Sequence, residues 1–277
     1  MSVLIWGGNG WIGSMLRKLL KDYKIICASS RMEDRPSVIL ELDEIKPDFV
    51  IITAGLIGKP NVDWCEDHKQ DTILINVIGT INVVDACYRR NIHVTNYASG
   101  CIYTYDTIHA KFDEEAVPNF KGSTYSISKI YAQELQSFYN NVLILRLRMP
   151  ISDELEPKNF ITKITKYAKV INVPNSVTVL SELLPISIKM MEAKLTGIYN
   201  LVNPGVISHN EILRLYKKYV DPTFIWENFS VEEQNTILKA QRSNCELDTK
   251  KLEAFHKVTP VTEAVERVIK GYKLNSN

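Results

Sequence analysis

The segment VLIWGGNGWIGSML, Val3 to Leu16, changes character at its midpoint. Val3, Leu4, Ile5 and Trp6 form a short apolar run of the kind buried in a parallel sheet, and the apolar and basic positions from Trp11 to Leu20 read as a helix. Gly7, Gly10 and Gly13 fall at the junction. A tight turn, a close backbone approach to a pyrophosphate and close helix–strand packing each exclude a side chain. The helix N-terminus beyond the turn then attracts the anion. The spacing is G-x-x-G-x-x-G, one residue longer in its first interval than the common dinucleotide fingerprint, so the strand-before, helix-after context carries the reading. Gly7, Asn9, Gly10, Trp11, Ile12 and Gly13 are the candidate dinucleotide contacts here, with Ala54 and Gly55 after the third strand.

The second apolar run, Lys24 to Ala28, leads into SSRMEDR. An acidic residue at this strand end would bind a ribose 2′-hydroxyl. Ser29, Ser30 and Arg31 stand there instead, and Arg31 with Arg35 could pair a 2′-phosphate, which favours NADP(H) over NAD(H). The competing reading is that both arginines solvate a loop. Further strands near Phe49–Thr53, His93–Ala98 and Val142–Leu147 alternate with helical patterns, the arrangement of a parallel sheet covered on both faces. The expected architecture is therefore α/β, with a Rossmann-type doubly wound domain over residues 1–150. Residues 151–277 read as a smaller substrate-binding cap, with helices near Asn159–Ala168, Ser208–Val220, Ser230–Gln241 and Val261–Lys270 and a strand pair in VINVPNSVTVL. A strand near Ile198–Val202 is expected to return to the main sheet and interleave the two.

With 45% hydrophobic residues and net charge +1, the chain has material for a large core and no basic excess for nucleic acid. Five scattered cysteines without C-x-x-C spacing read as reduced thiols, and no metal-ligand pattern appears. Met1 leads directly into a strand without a signal-like leader, and no apolar run suggests a membrane span, so the expectation is a cytoplasmic protein.

YSISK places Tyr125 and Lys129 at i and i+4, on one face of a helix. Tyr125 is the only tyrosine in the chain with a lysine four residues on. An adjacent ammonium would lower the phenol pKa toward the working range of an acid or base. The helix follows the strand that ends in YASGCIY, where Ser99 could hydrogen-bond a substrate carbonyl and Cys101, two residues on, could face the same pocket. Read alone, Cys101 is more readily a small buried hydrophobe than an acid/base group.

Together the glycine turn, Ser99, Tyr125 and Lys129 resemble the extended short-chain dehydrogenase/reductases. Longer strings narrow the resemblance: GKPNVDWCE at Gly58–Glu66, YASGCIYTYD, LRLRMPIS, NFITKITKY, VPNSVTVLSELLPISI, NPGVISHNEIL and RSNCELD. They are similar to the bifunctional 3,5-epimerase/4-reductases that make UDP-rhamnose from UDP-4-keto-6-deoxyglucose. The related dTDP-4-dehydrorhamnose reductases carry a tyrosine in place of Cys101. The GDP-fucose synthases pair their cysteine with a histidine, and NFITKITKY holds none.

The resemblance implies epimerisation by Cys101 with Lys163, followed by NADPH-dependent reduction at C4 in which Tyr125 donates the proton, Ser99 orients the oxygen and Lys129 serves Tyr125 and the ribose. NADH would be a tolerated alternative. Asn159, Asn175 and Arg242 are the expected substrate contacts, and the helices over Thr72–Arg89 and Tyr125–Tyr139 the expected homodimer interface. A reductase needing a separate epimerase is the second reading, and a non-catalytic dinucleotide sensor the third.

Overall fold

The computed structural model describes residues 1–274. Its elements run β1 (Ser2–Trp6), α1 (Trp11–Leu19), β2 (Lys24–Cys27), α2 (Arg35–Ile45), β3 (Phe49–Ile52), α3 (Trp64–Asp67) and α4 (Lys69–Ile73). A π-helical turn, Leu74–Gly79, leads into α5 (Thr80–Tyr88), β4 (His93–Ser99), α6 (Thr124–Gln136) and β5 (Val142–Leu147). Then follow α7 (Phe160–Ile164), β6 (Lys169–Val170), α8 (Leu180–Glu192), β7 (Gly197–Asn200), α9 (His209–Tyr219), β8 (Glu227–Asn228), α10 (Val231–Ile237), α11 (Lys250–Phe255) and α12 (Val261–Leu274).

Six strands form one sheet in the order β2-β1-β3-β4-β5-β7. β1 lies between β2 and β3, parallel to both, with Leu4 opposite Ile26 on one side and Val50 on the other. β3 pairs in parallel with β4, Ile51 opposite Thr95. The chain leaves β1 first toward one edge and then, through β3, toward the other. The end of β1 is thus a topological switch point, where such sheets bind ligands. Every residue of β3 and β5 is buried, as expected of strands covered on both faces; β3 is wholly apolar, and β5 is apolar apart from Arg146.

The chain divides into two compact units. The first comprises Met1–Ile102, Phe120–Arg146 and Pro185–Tyr199, and the second Tyr103–Asn119, Leu147–Leu184 and the residues from Asn200 onward. Leu4, Trp6, Val50, Ile52, Val83, Val84, Val94 and Ile144 lie in the first core. In the second, Ile161, Ile164, Val177, Val179, Ile212, Leu213, Val265 and Ile269 pack together, largely from α7, α9 and α12. At the start of α9 the Ser208 hydroxyl and Glu211 carboxylate form a reciprocal capping box, so SHNE sets this boundary locally.

Several elements differ from expectation. The helix expected from Asn159 ends at Ile164, where the Thr165 hydroxyl turns back to the Ile161 carbonyl at 3.0 Å and competes with helix continuation. Of the strand pair expected within VINVPNSVTVL, only Val170 belongs to a named strand; beyond it isolated bridges join Asn175 to Ile207 and Val179 to Ile151. Helix α8 carries Pro185 inside it, a residue that argues for a break when only sequence is considered. The continuous helical stretch Lys69–Tyr88 is long and apolar enough to cross a bilayer by length and composition, contrary to expectation, yet half of its apolar window is buried inside the protein. All five cysteines are free thiols.

Candidate active site

The glycine turn is built as its spacing requires. Gly7 has φ +84°, and a Cβ there would meet the Ala54 amide nitrogen at 2.5 Å. Gly10 caps α1 with no side-chain hydrogen bond, and no acidic residue occupies the first turn. The leading amides at Trp11 and Ile12 therefore keep the positive end of the helix dipole for an anion. The Asn9 side chain accepts from Arg17 at 3.1 Å. These features fit a dinucleotide pyrophosphate. Gly55, after β3, completes the cradle, since a Cβ there would lie 3.2 Å from the Lys129 amine.

The loop after β2 is organised by a residue the sequence reading passed over. Buried Glu41 accepts from the Ser29 amide at 2.7 Å, the Ser29 hydroxyl at 3.0 Å and the Ser30 amide at 3.0 Å, and these hydrogen bonds hold its carboxyl below the usual range although burial opposes them. Arg31 is largely exposed and ion-paired to Glu33 at 3.0 Å. Arg35, expected beside it as a phosphate ligand, instead pairs with Asp85, which also takes Arg89. The start of α2 packs on α5, and that packing carries Arg35 to the α5 carboxylate.

At the end of β4 the Ser99 hydroxyl accepts the Cys101 amide at 3.1 Å and hydrogen-bonds Tyr125. Tyr125 and Lys129 share a face of α6, the amine 5.7 Å from the ring centroid. The expected effect of the ammonium on the phenol is overridden. Burial raises the Tyr125 pKa well above its ordinary value, with the nearby Cys101 adding to it and the Ser99 hydrogen bond opposing it. Burial also pushes Lys129 down, to about 8. Desolvation dominates because each charge would form in a poorly hydrated pocket.

Two further side chains position α6. Glu66 accepts from the Thr124 amide at 2.7 Å and its hydroxyl at 2.8 Å, fixing the helix start one residue before Tyr125. Asn76, buried in the π-helical turn, accepts from the Leu56 amide at 2.8 Å and donates to the Leu56 carbonyl at 2.9 Å and the Ser128 hydroxyl at 3.1 Å. It thereby ties the strap after β3 to the Tyr125 helix, and π-turns recur at such functional places. GKPNVDWCE held the signal for Glu66; Asn76 is an asparagine inside an apolar helix, the pattern that could have drawn attention to it.

In the second unit, Lys163 is half-buried on α7, and burial followed by the charge of Lys158 lowers its pKa. Asn159 is fully buried, accepts from the Ile161 amide and donates to the Ser152 and Glu154 carbonyls and the Tyr272 hydroxyl. Asn175 accepts from Arg148 and the Cys245 amide and donates to Val173 and Asn244. Both amides expected to meet substrate are thus committed to the unit's own interior. Arg242 is half-buried and donates to the Ala240 carbonyl at 2.6 Å.

A parallel sheet with a glycine turn at its switch point and a tyrosine–lysine helix beside its carboxyl edge defines the Rossmann-type class of dinucleotide-binding α/β folds. Comparison with known proteins makes the assignment particular: the chain belongs to the NAD dependent epimerase/dehydratase family, whose model matches residues 3–185. It is 48% identical to a bifunctional dTDP-4-dehydrorhamnose 3,5-epimerase/dTDP-4-dehydrorhamnose reductase of Arabidopsis thaliana, over 96% of this chain and 91% of the relative. A trifunctional UDP-glucose 4,6-dehydratase/UDP-4-keto-6-deoxy-D-glucose 3,5-epimerase/UDP-4-keto-L-rhamnose-reductase of the same plant is 50% identical over 91% of this chain, which spans only 39% of its length. Among solved structures, the UDP-rhamnose synthase of Acanthamoeba polyphaga mimivirus superposes with a TM-score of 0.94 at 39% identity, over 98% of this chain and 99% of that one. The resemblance carried by the motif strings is the one these comparisons return.

Proposed function

We propose that this chain converts UDP-4-keto-6-deoxyglucose to UDP-rhamnose by 3,5-epimerisation and then NADPH-dependent reduction of the C4 ketone. The observation that carries the reading is the meeting of Ser99, Cys101 and Tyr125 at the end of β4, a thiol placed beside the hydroxyls of a carbonyl reductase.

Bound NADPH supplies the hydride, and its pyrophosphate is assigned to the α1 amides with Gly7, Gly10 and Gly13 around it. Arg31 is the cation proposed for the 2′-phosphate. The Ser99 hydroxyl takes the Cys101 amide on its lone pair, which leaves its proton for Tyr125 or a substrate oxygen. Tyr125, held protonated by its surroundings, donates to the C4 oxygen as reduction proceeds. Lys129, beside Gly55, is the residue assigned to the nicotinamide ribose.

For epimerisation, the C4 ketone acidifies the protons at C3 and C5. The Cys101 thiolate accepts a carbon-bound proton while the electron pair moves onto the C4 oxygen, where Ser99 and Tyr125 hydrogen bonds stabilise the enolate. Inversion requires a proton from a second group, and Lys163 is proposed for it on the chemistry of its own surroundings, which release its proton more readily than an exposed lysine would.

Incubation with UDP-4-keto-6-deoxyglucose in deuterated water tests the reading. Deuterium should enter at C3 and C5 without NADPH, and UDP-rhamnose should form when NADPH is added. Cys101→Ala should abolish exchange while still reducing UDP-4-keto-rhamnose. Reduction without exchange in the wild-type protein would leave a 4-reductase that depends on another epimerase, and binding of dinucleotide without turnover would leave a sensor.

The working protein is read as cytoplasmic, without nucleic acid or membrane as partner, and as a homodimer. Exposed Ile78, Tyr88, Tyr131, Leu135 and Phe138 on the π-turn, α5 and the α6 region support the dimer, Phe138 being 85% exposed. Light scattering should give twice 31.6 kDa, and Phe138→Glu should return the monomer mass.

A further inference from the structure

Cys101 lies in the turn after β4, outside any strand ladder or helix. A turn residue there would ordinarily leave its backbone groups to water. Both are instead held by hydroxyls: the amide donates to Ser99 at 3.1 Å, and the carbonyl accepts from Ser126 at 2.7 Å. Ser126 is 2% exposed and adjoins Tyr125 on α6. Its own oxygen accepts from the Ser123 hydroxyl at 2.9 Å, and its amide donates to that same hydroxyl, the N-cap of the helix, at 3.0 Å. The path from the helix cap through Ser126 to the Cys101 peptide is thus continuous, buried at Ser123 and Ser126 and part-buried at Cys101.

We propose that Ser126 is the positioning residue for the Cys101 thiol, registering the epimerisation group against the Tyr125 helix. The inference rests on the reading of Cys101 as an acid/base group. The physical reason is that a pinned peptide has one φ/ψ setting and so one placement of its side chain. Without the Ser126 hydroxyl the carbonyl loses its partner, the turn gains freedom, and the thiol spends less time at the distance proton transfer needs. Reduction does not share this dependence to the same degree. Ser99 is fixed as the last residue of β4, and Tyr125 by the Ser123 cap and by Glu66 on Thr124.

The test is Ser126→Ala, with Ser126→Thr as the variant that keeps the hydroxyl. Deuterium incorporation at C3 and C5 of UDP-4-keto-6-deoxyglucose should fall about ten- to a hundredfold in the alanine variant, in kcat rather than KM. Reduction of preformed UDP-4-keto-rhamnose should fall far less, which also reports that the variant is folded. The threonine variant should recover most of the exchange, and the rate of Cys101 alkylation by iodoacetamide, followed by peptide mapping, should change in alanine and return in threonine. Wild-type exchange in Ser126→Ala, equal losses of exchange and reduction, or equal impairment of both variants would overturn the proposal. Cys101→Ala separates the two levels. Exchange that survives it removes the role of Cys101 itself, whereas exchange lost there but intact in Ser126→Ala removes only the role of Ser126.

Discussion

Lys129→Met should produce a protein that is more stable and nearly unable to reduce its substrate. The amine lies among buried groups of the first unit, and desolvation brings its pKa from 10.5 to about 8. The folded state therefore bears a cost for the charge that an apolar side chain of similar length does not. Allowing for the partial exposure of the side chain, removal of that cost is worth about 2 kcal/mol. Thermal unfolding without added dinucleotide should rise by several degrees. Because the folded pKa lies below the unfolded one, the unfolded chain binds more protons between pH 8 and 10.5, so wild-type stability contributed by this group rises across that window. It is lost again as pH falls through about 8. The methionine variant should lack that rise. Reduction should drop by about two to four orders of magnitude, the range for losing an acid–base element, and NADPH affinity should fall with loss of the proposed ribose contact. A variant neither stabilised nor impaired would show that Lys129 is a solvated surface lysine.

Gly13→Ala should destabilise the protein and cut its dinucleotide affinity with a single added methyl. Its Cβ would fall 2.2 Å from the Gly7 carbonyl oxygen and 2.8 Å from the Gly8 Cα, both backbone atoms of the turn itself. Neither can rotate away, so α1 must move off β1. Overpacking of this kind costs up to about 3 kcal/mol, and displacement of the α1 amides disturbs the geometry proposed to receive the pyrophosphate. Calorimetric titration should show NADPH affinity reduced at least about tenfold, since 1.4 kcal/mol suffices for that factor. Gly10→Ala is the comparison for stability, because within the protein its Cβ meets only the Gly7 oxygen, at 3.1 Å, and a small adjustment relieves it. Equal losses of melting temperature for the two variants would contradict this account of the turn.

The readable parts of the site were those whose partners lie close in sequence. Gly7, Gly10 and Gly13 occupy one turn, and Tyr125 and Lys129 one helical step, so spacing alone placed each set together. The contacts that position them were not readable. Glu66 meets Thr124 across 58 residues, and Asn76 meets Ser128 across 52. Arg35 has the same history, since the basic loop suggested a phosphate ligand whereas Asp85, fifty residues on, takes the guanidinium. Asn159 and Asn175 looked available because a sequence does not show which amides the folded unit consumes for its own acceptors, here the Glu154 carbonyl and the Asn244 side chain.

By itself the sequence determined the parallel sheet, the glycine turn at its switch point, the Ser99, Tyr125 and Lys129 set and the family, because apolar periodicity, glycine spacing and long motif strings are local properties of the chain. Tertiary structure alone decided the sign of the pKa shifts at Tyr125 and Lys129, the clamps from Glu66 and Asn76, and the pinning of the Cys101 peptide by Ser99 and Ser126. The physical reason is that desolvation and hydrogen-bond satisfaction depend on what surrounds a group in space, and those surroundings are assembled from segments that the sequence holds far apart.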